Sequence, residues 1–152
     1  MNRALLVVLL CAGAACSHYQ GGDVPEPKSP NLLLSRFLDA VKAKDTRTMG
    51  SLWGNADGPW HKVPPAYRDS VMQAFQMFLR HDTYKVLDGP LALSTDNRVL
   101  TFHVELQAPQ CTRSQPFDVI KTKAGGWLMF NVHLEVESPI VPHCPKPGGN
   151  PG

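Results

Sequence analysis

Two segments of the chain carry histidine and glutamate at alternate positions, and these residue types build metal sites and acid–base sites. Both segments, 99–107 and 127–136, alternate apolar and polar residues, and this period of two predicts β-strands. Imidazole nitrogens and carboxylate oxygens bind zinc, and the same groups transfer protons in enzymes. The polar face of the predicted sheet carries His103, Glu105, His133 and Glu135.

A metal site is not expected among these four side chains. A further strand, predicted over 115–122, separates the two segments, so residues on them lie roughly 10 Å apart across the sheet. Zinc holds its nitrogen ligands at about 2.0–2.1 Å, and this spacing makes a shared ion difficult without a bend or bulge. We therefore predict no metal and no cofactor, and we interpret the four residues as a solvated or dimer-forming outer face.

An acid–base enzyme would need an ionisable group on the inward face of the sheet. The inward positions of the two segments contain no carboxylate or imidazole; they are Leu100, Phe102, Val104, Leu106, Leu128, Phe130, Val132 and Leu134. Only the mouth of the fold could bring a proton-transfer group within hydrogen-bond reach of a ligand. The candidates there are Asp57, Trp60, His61, Tyr67 and Tyr84. We predict a non-catalytic protein, with a site at this mouth as the alternative.

The first 16 residues have the pattern of a secretory signal. Arg3 precedes an uninterrupted apolar run, Ala4–Leu10, and small residues lead into Cys16. The apolar segment is about a dozen residues long, whereas a membrane-spanning helix needs about 20. The chain is therefore predicted to be exported.

The residues around Cys16 resemble the lipobox of bacterial lipoproteins. Ala14 and Ala15 precede the cysteine and Ser17 follows it, but Gly13 stands where that pattern usually has an aliphatic residue. The resemblance implies that Cys16 becomes the lipid-bearing N-terminus, which would hold the protein on the bacterial cell envelope, facing the periplasm. The alternative is ordinary cleavage after Ala14. Residues 17–30 are rich in Gly, Pro and charge and are predicted to form a flexible tether.

Charge and length limit the remaining possibilities. The chain has 15 Lys and Arg and 13 Asp and Glu, and removal of Arg3 with the signal leaves 14 against 13. This balance gives no electrostatic footprint for nucleic acid. Residues 31–137 suffice for one compact domain, and the tail 138–152 is rich in Pro and Gly and is predicted to be irregular.

Helical periodicity dominates the first half of the domain. Ser29-Pro30 is a good helix start, and it precedes an apolar stripe formed by Leu34, Phe37, Leu38 and Val41. Asp45 is predicted to cap a second helix, with Met49, Leu52 and Trp53 turned inward. Pro64-Pro65 begins a third helix, whose apolar repeat is Tyr67, Val71, Ala74, Phe75 and Phe78.

The second half is predicted to be an antiparallel meander. Its strands cover about 84–93, 99–107, 115–122 and 127–136, with turns at 94–97 and 124–126. Helices followed by one-sided strands are typical of an α+β fold in which N-terminal helices pack on a curved antiparallel sheet.

Residues 31–137 resemble the nuclear-transport-factor-2-like superfamily, which includes ketosteroid-isomerase-like and polyketide-cyclase-like proteins. The resemblance rests on LLLSRFLDAVKAKDTRTMGSLWG, followed by a helix, and on the closing strand GGWLMFNVHLEVE. It implies a cone-like fold, often with a pocket at the open end and often dimeric. We expect the rim of that pocket to include Trp53, Trp60, His61, Tyr67 and Met72.

Cys111 and Cys144 are the cysteines left for pairing in an oxidising compartment. Two strands that run in the same direction end at one rim of the predicted sheet, and residues 137–143 are long enough to return Cys144 to Cys111. A disulfide closing this loop would contribute about 3–4 kcal/mol in the chain-entropy model. Two free thiols or a redox site are the alternative.

These observations predict an exported, lipid-anchored, non-catalytic domain. It would bind a small apolar ligand or an envelope partner, and the outer sheet face would suit a homodimer. The alternative function is a small acid–base enzyme of the isomerase or cyclase type.

Overall fold

The computed structural model describes residues 25–60, 62–109 and 111–134. Within these residues there are three helices and two antiparallel sheets, so the predicted α+β class is confirmed. The helices are α1 (Pro30–Ala43), α2 (Thr46–Ser51) and α3 (Pro65–Phe78). The strands are β1 (Gly54–Asn55), β2 (Gly58–Pro59), β3 (Thr83–Ala92), β4 (Val99–Ala108), β5 (Cys111–Lys121) and β6 (Trp127–Val132). Strands β1 and β2 pair with each other, and β3 to β6 form the larger sheet in sequence order.

Helix α1 has the predicted start and the predicted buried face. The hydroxyl of Ser29 accepts a hydrogen bond from the peptide N–H of Leu32 at 3.2 Å, and Pro30 opens the first turn. The helix ends at Ala43, and the next residue, Lys44, caps it in the left-handed conformation with φ of 59°. The stripe expected to face the core is buried along its length; it consists of Leu34, Phe37, Leu38 and Val41.

Helix α3 begins where it was predicted, but its buried face agrees with the prediction only in part. Met72 is fully buried, whereas Tyr67 is 61% exposed and Phe78 is 44% exposed. Apolar residues lie on more than one side of this helix, so periodicity alone offers two candidate stripes. Val71 and Phe75 of the predicted stripe are partly buried and pack against the core, but the residues buried completely are Met72 and Leu79 rather than Tyr67 and Phe78.

The larger sheet packs its inward face against the helices. On β4 the predicted inward residues Phe102, Val104 and Leu106 are buried. Phe117 of β5 pairs with Phe102 and meets the ring of Phe37 from α1 edge-on, with centroids 6.5 Å apart. These contacts place the apolar core between α1 and the centre of the sheet.

A bulge in β6 overturns the predicted phase of that strand. Asp118 pairs with Asn131 but Val119 pairs with Met129, so Phe130 is an extra residue. Met129 is fully buried in the core, and Phe130, predicted to face inward, is 43% exposed. Leu134, also predicted inward, is exposed and lies beyond the strand, which ends at Val132. Strict alternation cannot reveal such an insertion.

Part of the predicted tether belongs to the folded unit. The peptide N–H of Trp127 donates to the carbonyl of Pro27 at 2.9 Å, and the hydroxyl of Thr122 donates to Glu26 at 2.6 Å. Residues 25–30 are therefore attached to the sheet rather than forming a free linker. The predictions for the signal, for Cys16, for the rest of the tether and for the tail lie outside the described residues.

Candidate functional site

The residues predicted to form a pocket rim do not share one open surface. Trp53 is buried and stacks on Phe75 with ring centroids 4.6 Å apart. The ring of Trp60 packs against that of Trp53, with centroids 5.9 Å apart. Met72 is inside the same core, and Tyr67 projects into solvent. His61 lies outside the described residues.

A groove of about 730 Å³ lies along α1 instead. Residues 25–28 form one wall, and the outer side of α1 from Leu32 to Ala43 forms another, with Asp45 and Thr48 at one end. None of the predicted rim residues and none of the inward residues of the sheet line it. The predicted mouth residue Asp57 is also elsewhere, where it forms an exposed ion pair with Lys123 at 2.5 Å.

The outer face of the larger sheet, which is the side opposite the helices, contains a buried polar cluster. Asp118 is 4% exposed, and one of its oxygens accepts a hydrogen bond from the hydroxyl of Thr101 at 2.7 Å. The Nε2 atom of His133 lies 2.7 Å from its other oxygen. We call Thr101, Asp118 and His133 the outer-face cluster.

The strand register assembles this cluster. Thr101 on β4 and Asp118 on β5 are directly paired, so their side chains emerge on the same face. The peptide N–H of His133 donates to the carbonyl of Pro116 at 3.2 Å, and the side-chain amide of Gln115 donates to the carbonyl of His133 at 2.5 Å. The backbone of His133 is thus fixed just beyond the end of β6.

A second carboxylate–imidazole pair lies on the same face. Asp88 of β3 pairs with His103 of β4, and the Nδ1 atom of His103 is 2.6 Å from a carboxylate oxygen of Asp88. Asp88 lies between two register shifts in β3, and these irregularities position it opposite His103. Both groups of this second pair are substantially exposed.

The outer-face cluster can hold an imidazole in a fixed orientation. A buried carboxylate beside one ring nitrogen is the arrangement that orients a histidine for proton transfer or for hydrogen bonding to a partner. The groove along α1 does not include these residues. Among the described residues, no group of three or more His, Cys, Asp or Glu could hold a metal ion.

Sequence reasoning placed His103 and His133 on the polar face but did not identify Asp118. The inward and outward positions of β5 differ little in polarity, since Gln115, Phe117 and Val119 face the helices while Pro116 and Asp118 face outward. The one available signal was the direct pairing of a threonine with an aspartate, and it can be recognised only once the register of β4 and β5 is known.

The helix-facing side of the sheet also contains polar groups at the end where β5 begins. Arg113 pairs with Leu106, which pairs with Tyr84, so all three side chains share the inward face. His81 is 3% exposed, and its ring meets that of Tyr84 edge-on at 5.7 Å. Tyr84 and Arg113 are half-buried, and only His81 is buried as a whole residue. We call these three residues the buried polar end. The expectation of an inner wall without ionisable groups is therefore wrong, because it was drawn from β4 and β6 and left β5 out.

Burial dominates the electrostatics of this end. It lowers the pKa of the Arg113 guanidinium, because the charged form loses hydration. Burial also raises the pKa of the Tyr84 phenol, with a smaller contribution in the same direction from the carboxylate of Asp39.

Cys111 opens β5 close to Arg113 and is disulfide-bonded. The other three cysteines of the chain lie outside the described residues. The pairing of Cys111 with Cys144 therefore stays a prediction.

Comparison with known proteins assigns no family to this arrangement. No family model matches the chain, and no curated protein matches it. Within residues 25–60, 62–109 and 111–134, none of the helices has the length and apolar character needed to cross a membrane.

Proposed function

We propose that the chain is an exported, lipid-anchored, non-catalytic domain of the bacterial envelope, with the cone-like nuclear-transport-factor-2-like fold, and that it pairs with a second copy through its outer face. The order of elements supports the fold: three helices, a short hairpin between α2 and α3, and then an antiparallel meander. Export and the lipid anchor rest on the pattern of residues 1–16.

The packed interior favours a protein partner over a small apolar ligand. Inward residues at the centre of the sheet, such as Phe102, Val104 and Phe117, are fully buried against the helices. A ligand cavity inside the fold would be lined by these side chains, but the groove of about 730 Å³ is lined by none of them.

The outer face carries the proposal. Apolar side chains stay exposed on both sides of the outer-face cluster: Leu91, which pairs with Thr101, is 49% exposed, and Phe130 precedes the partner of Asp118. Exposed apolar surface beside polar groups that are already hydrogen-bonded is typical of an interaction surface.

Docking on the face is favoured over extension of the sheet at its β3 edge. Strand β3 contains two register shifts, and Pro90 has no N–H to offer a new strand. Bulges and proline are the features that block edge-to-edge pairing. A second copy would therefore cover the outer face rather than add strands to β3.

The test is self-association of the processed protein, extracted from membranes in detergent and measured by sedimentation equilibrium. We expect Phe130→Lys to weaken the dimer at least about tenfold, because it places a charge in the apolar part of the contact. Phe78→Lys is the matched control, since this phenylalanine is 44% exposed, against 43% for Phe130, but lies on α3. Cys16→Ser should move the protein from the membrane fraction to the soluble fraction.

A wild-type protein that stays monomeric at about 100 μM would contradict the dimer, since this concentration is well above the dissociation constant expected for a specific dimer. Equal effects of the two lysine substitutions would contradict the choice of face. Wild-type protein that is released from membranes by a salt wash would contradict the lipid anchor.

A further inference from the structure

We propose that the buried polar end, formed by His81, Tyr84 and Arg113, is a binding site for a small oxyanion, such as an organic carboxylate or a phosphate. This site lies on the helix-facing side of the sheet, and its occupancy does not depend on the outer face or on the lipid anchor.

The register brings the three groups together. Tyr84, Leu106 and Arg113 are consecutive cross-strand partners on β3, β4 and β5. Their side chains therefore form one row across the inward face, with neighbouring strands about 4.8 Å apart. The peptide N–H of Asp82 donates to the carbonyl of Gln107 at 2.8 Å, which ties the segment after α3 to this row and sets His81 against Tyr84.

Two polar atoms at this end are buried without partners. In the part of the chain that the structure describes, the Nη2 atom of Arg113 and the Nε2 atom of His81 have no hydrogen-bond partner. Buried polar atoms in proteins are nearly always hydrogen-bonded, so each exception indicates a missing partner.

The missing partner of Arg113 is an anion. None of the ion pairs among the described residues includes this guanidinium, and burial is the cause of its lowered pKa. The residue is half-buried, but its Nη2 atom is fully buried, and a desolvated part of a cation without a counterion is unfavourable. An oxyanion restores the balance and uses the planar donor geometry of arginine.

The histidine indicates an oxyanion that brings a proton. The Nδ1 atom of His81 lies 2.8 Å from the carbonyl oxygen of Leu79, so it carries a hydrogen and donates it. In neutral His81, Nε2 is consequently an acceptor. A ligand with an acidic hydroxyl satisfies both ends of the site, because one oxygen accepts from Arg113 and the hydroxyl donates to Nε2. Hydrogen phosphate carries such a hydroxyl at neutral pH, whereas a carboxylate is ionised there and would occupy this site together with one proton taken up from solution. Chloride carries no such proton.

The experiment compares inorganic phosphate, acetate and chloride as ligands of the processed protein. We expect 20 mM phosphate to raise the Tm of the wild type by about 4–8 °C over sodium chloride at the same ionic strength. Isothermal titration should detect phosphate binding at both pH 8 and pH 6, and any acetate binding should tighten between pH 8 and pH 6. A response to acetate as well would identify a general carboxylate site, and a response to phosphate alone would identify a phosphate site.

Variants test the assignment to these residues. Arg113→Gln should abolish the stabilisation by phosphate, and Arg98→Gln, which changes an exposed arginine paired with Asp96, should keep it. Tyr84→Phe removes only a hydroxyl and preserves the packing of the ring. It should weaken binding several-fold, and it keeps the test decisive if Arg113→Gln does not fold.

Three results would overturn the proposal. One is an equal Tm in phosphate and in chloride, and another is an undiminished response to phosphate in Arg113→Gln. The third combines two measurements. The double variant Glu135→Gln/Glu137→Gln loses as much stability as Arg113→Gln does, and phosphate does not raise the Tm of the wild type. That result would assign the counterion to the chain's own carboxylates. Sedimentation of the same samples separates this outcome from a failure of the outer-face dimer.

Discussion

The hydrogen bond between Thr101 and Asp118 should be one of the larger single contributions to the stability of this domain. Thr101 is 6% exposed, and its hydroxyl donates to Asp118 at 2.7 Å. A hydrogen bond to a charged group contributes about 1.5–3 kcal/mol net to stability. Thr101→Val keeps the branched shape and removes the donor, so we expect it to lower the free energy of unfolding by about that amount.

Removal of the acceptor should be more damaging. Asp118→Ala leaves both the Thr101 hydroxyl and His133 without their shared partner, and breaking a buried charged network costs about 3–5 kcal/mol. In the double variant Thr101→Val/Asp118→Ala the two effects overlap. We expect a coupling of about 1.5–2 kcal/mol, within the range found for residues that share a hydrogen bond.

Urea unfolding at fixed protein concentration, followed by tryptophan fluorescence, measures these differences. The slope of the unfolding free energy against urea concentration should stay constant, because none of these substitutions changes the surface exposed on unfolding by much. Thr83→Val is the matched control: its hydroxyl bonds to Gln107 at 2.8 Å, but on an exposed site, and it should change stability by less than about 0.5 kcal/mol. A coupling near zero, or equal losses in Thr101→Val and Thr83→Val, would refute the buried network.

Two further substitutions test local features of the fold. Partial burial raises the pKa of Asp45. Hydrogen bonds from the hydroxyl of Thr48 at 2.6 Å and from its peptide N–H at 3.0 Å outweigh this and hold the pKa below its ordinary value. The stabilisation by Asp45 is therefore fully present above the unfolded pKa of about 3.9, and it is lost as the pH falls through the folded value. Asp45→Ala should cost about 1 kcal/mol at pH 7 and clearly less at pH 2, measured by urea unfolding at each pH; an equal cost at both would contradict the charged cap. Gly54→Ala would place a methyl group against the backbone of β2, beside the carbonyl oxygen of Gly58 and 2.8 Å from the Cα atom of Pro59, and chemical denaturation should show a loss of about 1–3 kcal/mol. Gly50→Ala, whose new methyl meets only the flexible side chain of an arginine, should be neutral or stabilising. A larger loss of stability in Gly50→Ala than in Gly54→Ala would show that the contact at Gly54 relaxes.

The elements that sequence predicted well are those with one buried face and unbroken pairing. Helix α1 has a single apolar stripe, and β4 pairs with β5 at every residue from Val99 to Ala108, so a simple period describes each of them. The period fails in β6, where the bulge at Phe130 shifts the phase. It also fails in α3, where apolar residues occur on more than one side. Bulges and competing stripes are settled by tertiary packing, which a period does not contain.

Strand β5 explains why the candidate sites escaped sequence reasoning. From Gln115 to Ile120 every residue is buried, so the strand has no exposed face that would mark its phase. The same burial gives its polar residues their importance. On the outer face both carboxylate oxygens of Asp118 have partners, in Thr101 and His133, whereas Arg113 reaches the inward face with an atom that no described residue satisfies. A buried polar group is retained where its partners or its ligand repay the lost hydration. For Asp118 the partners are internal, which makes the outer face a rigid surface; for Arg113 the proposed partner is a bound oxyanion, which would make the buried polar end a binding site.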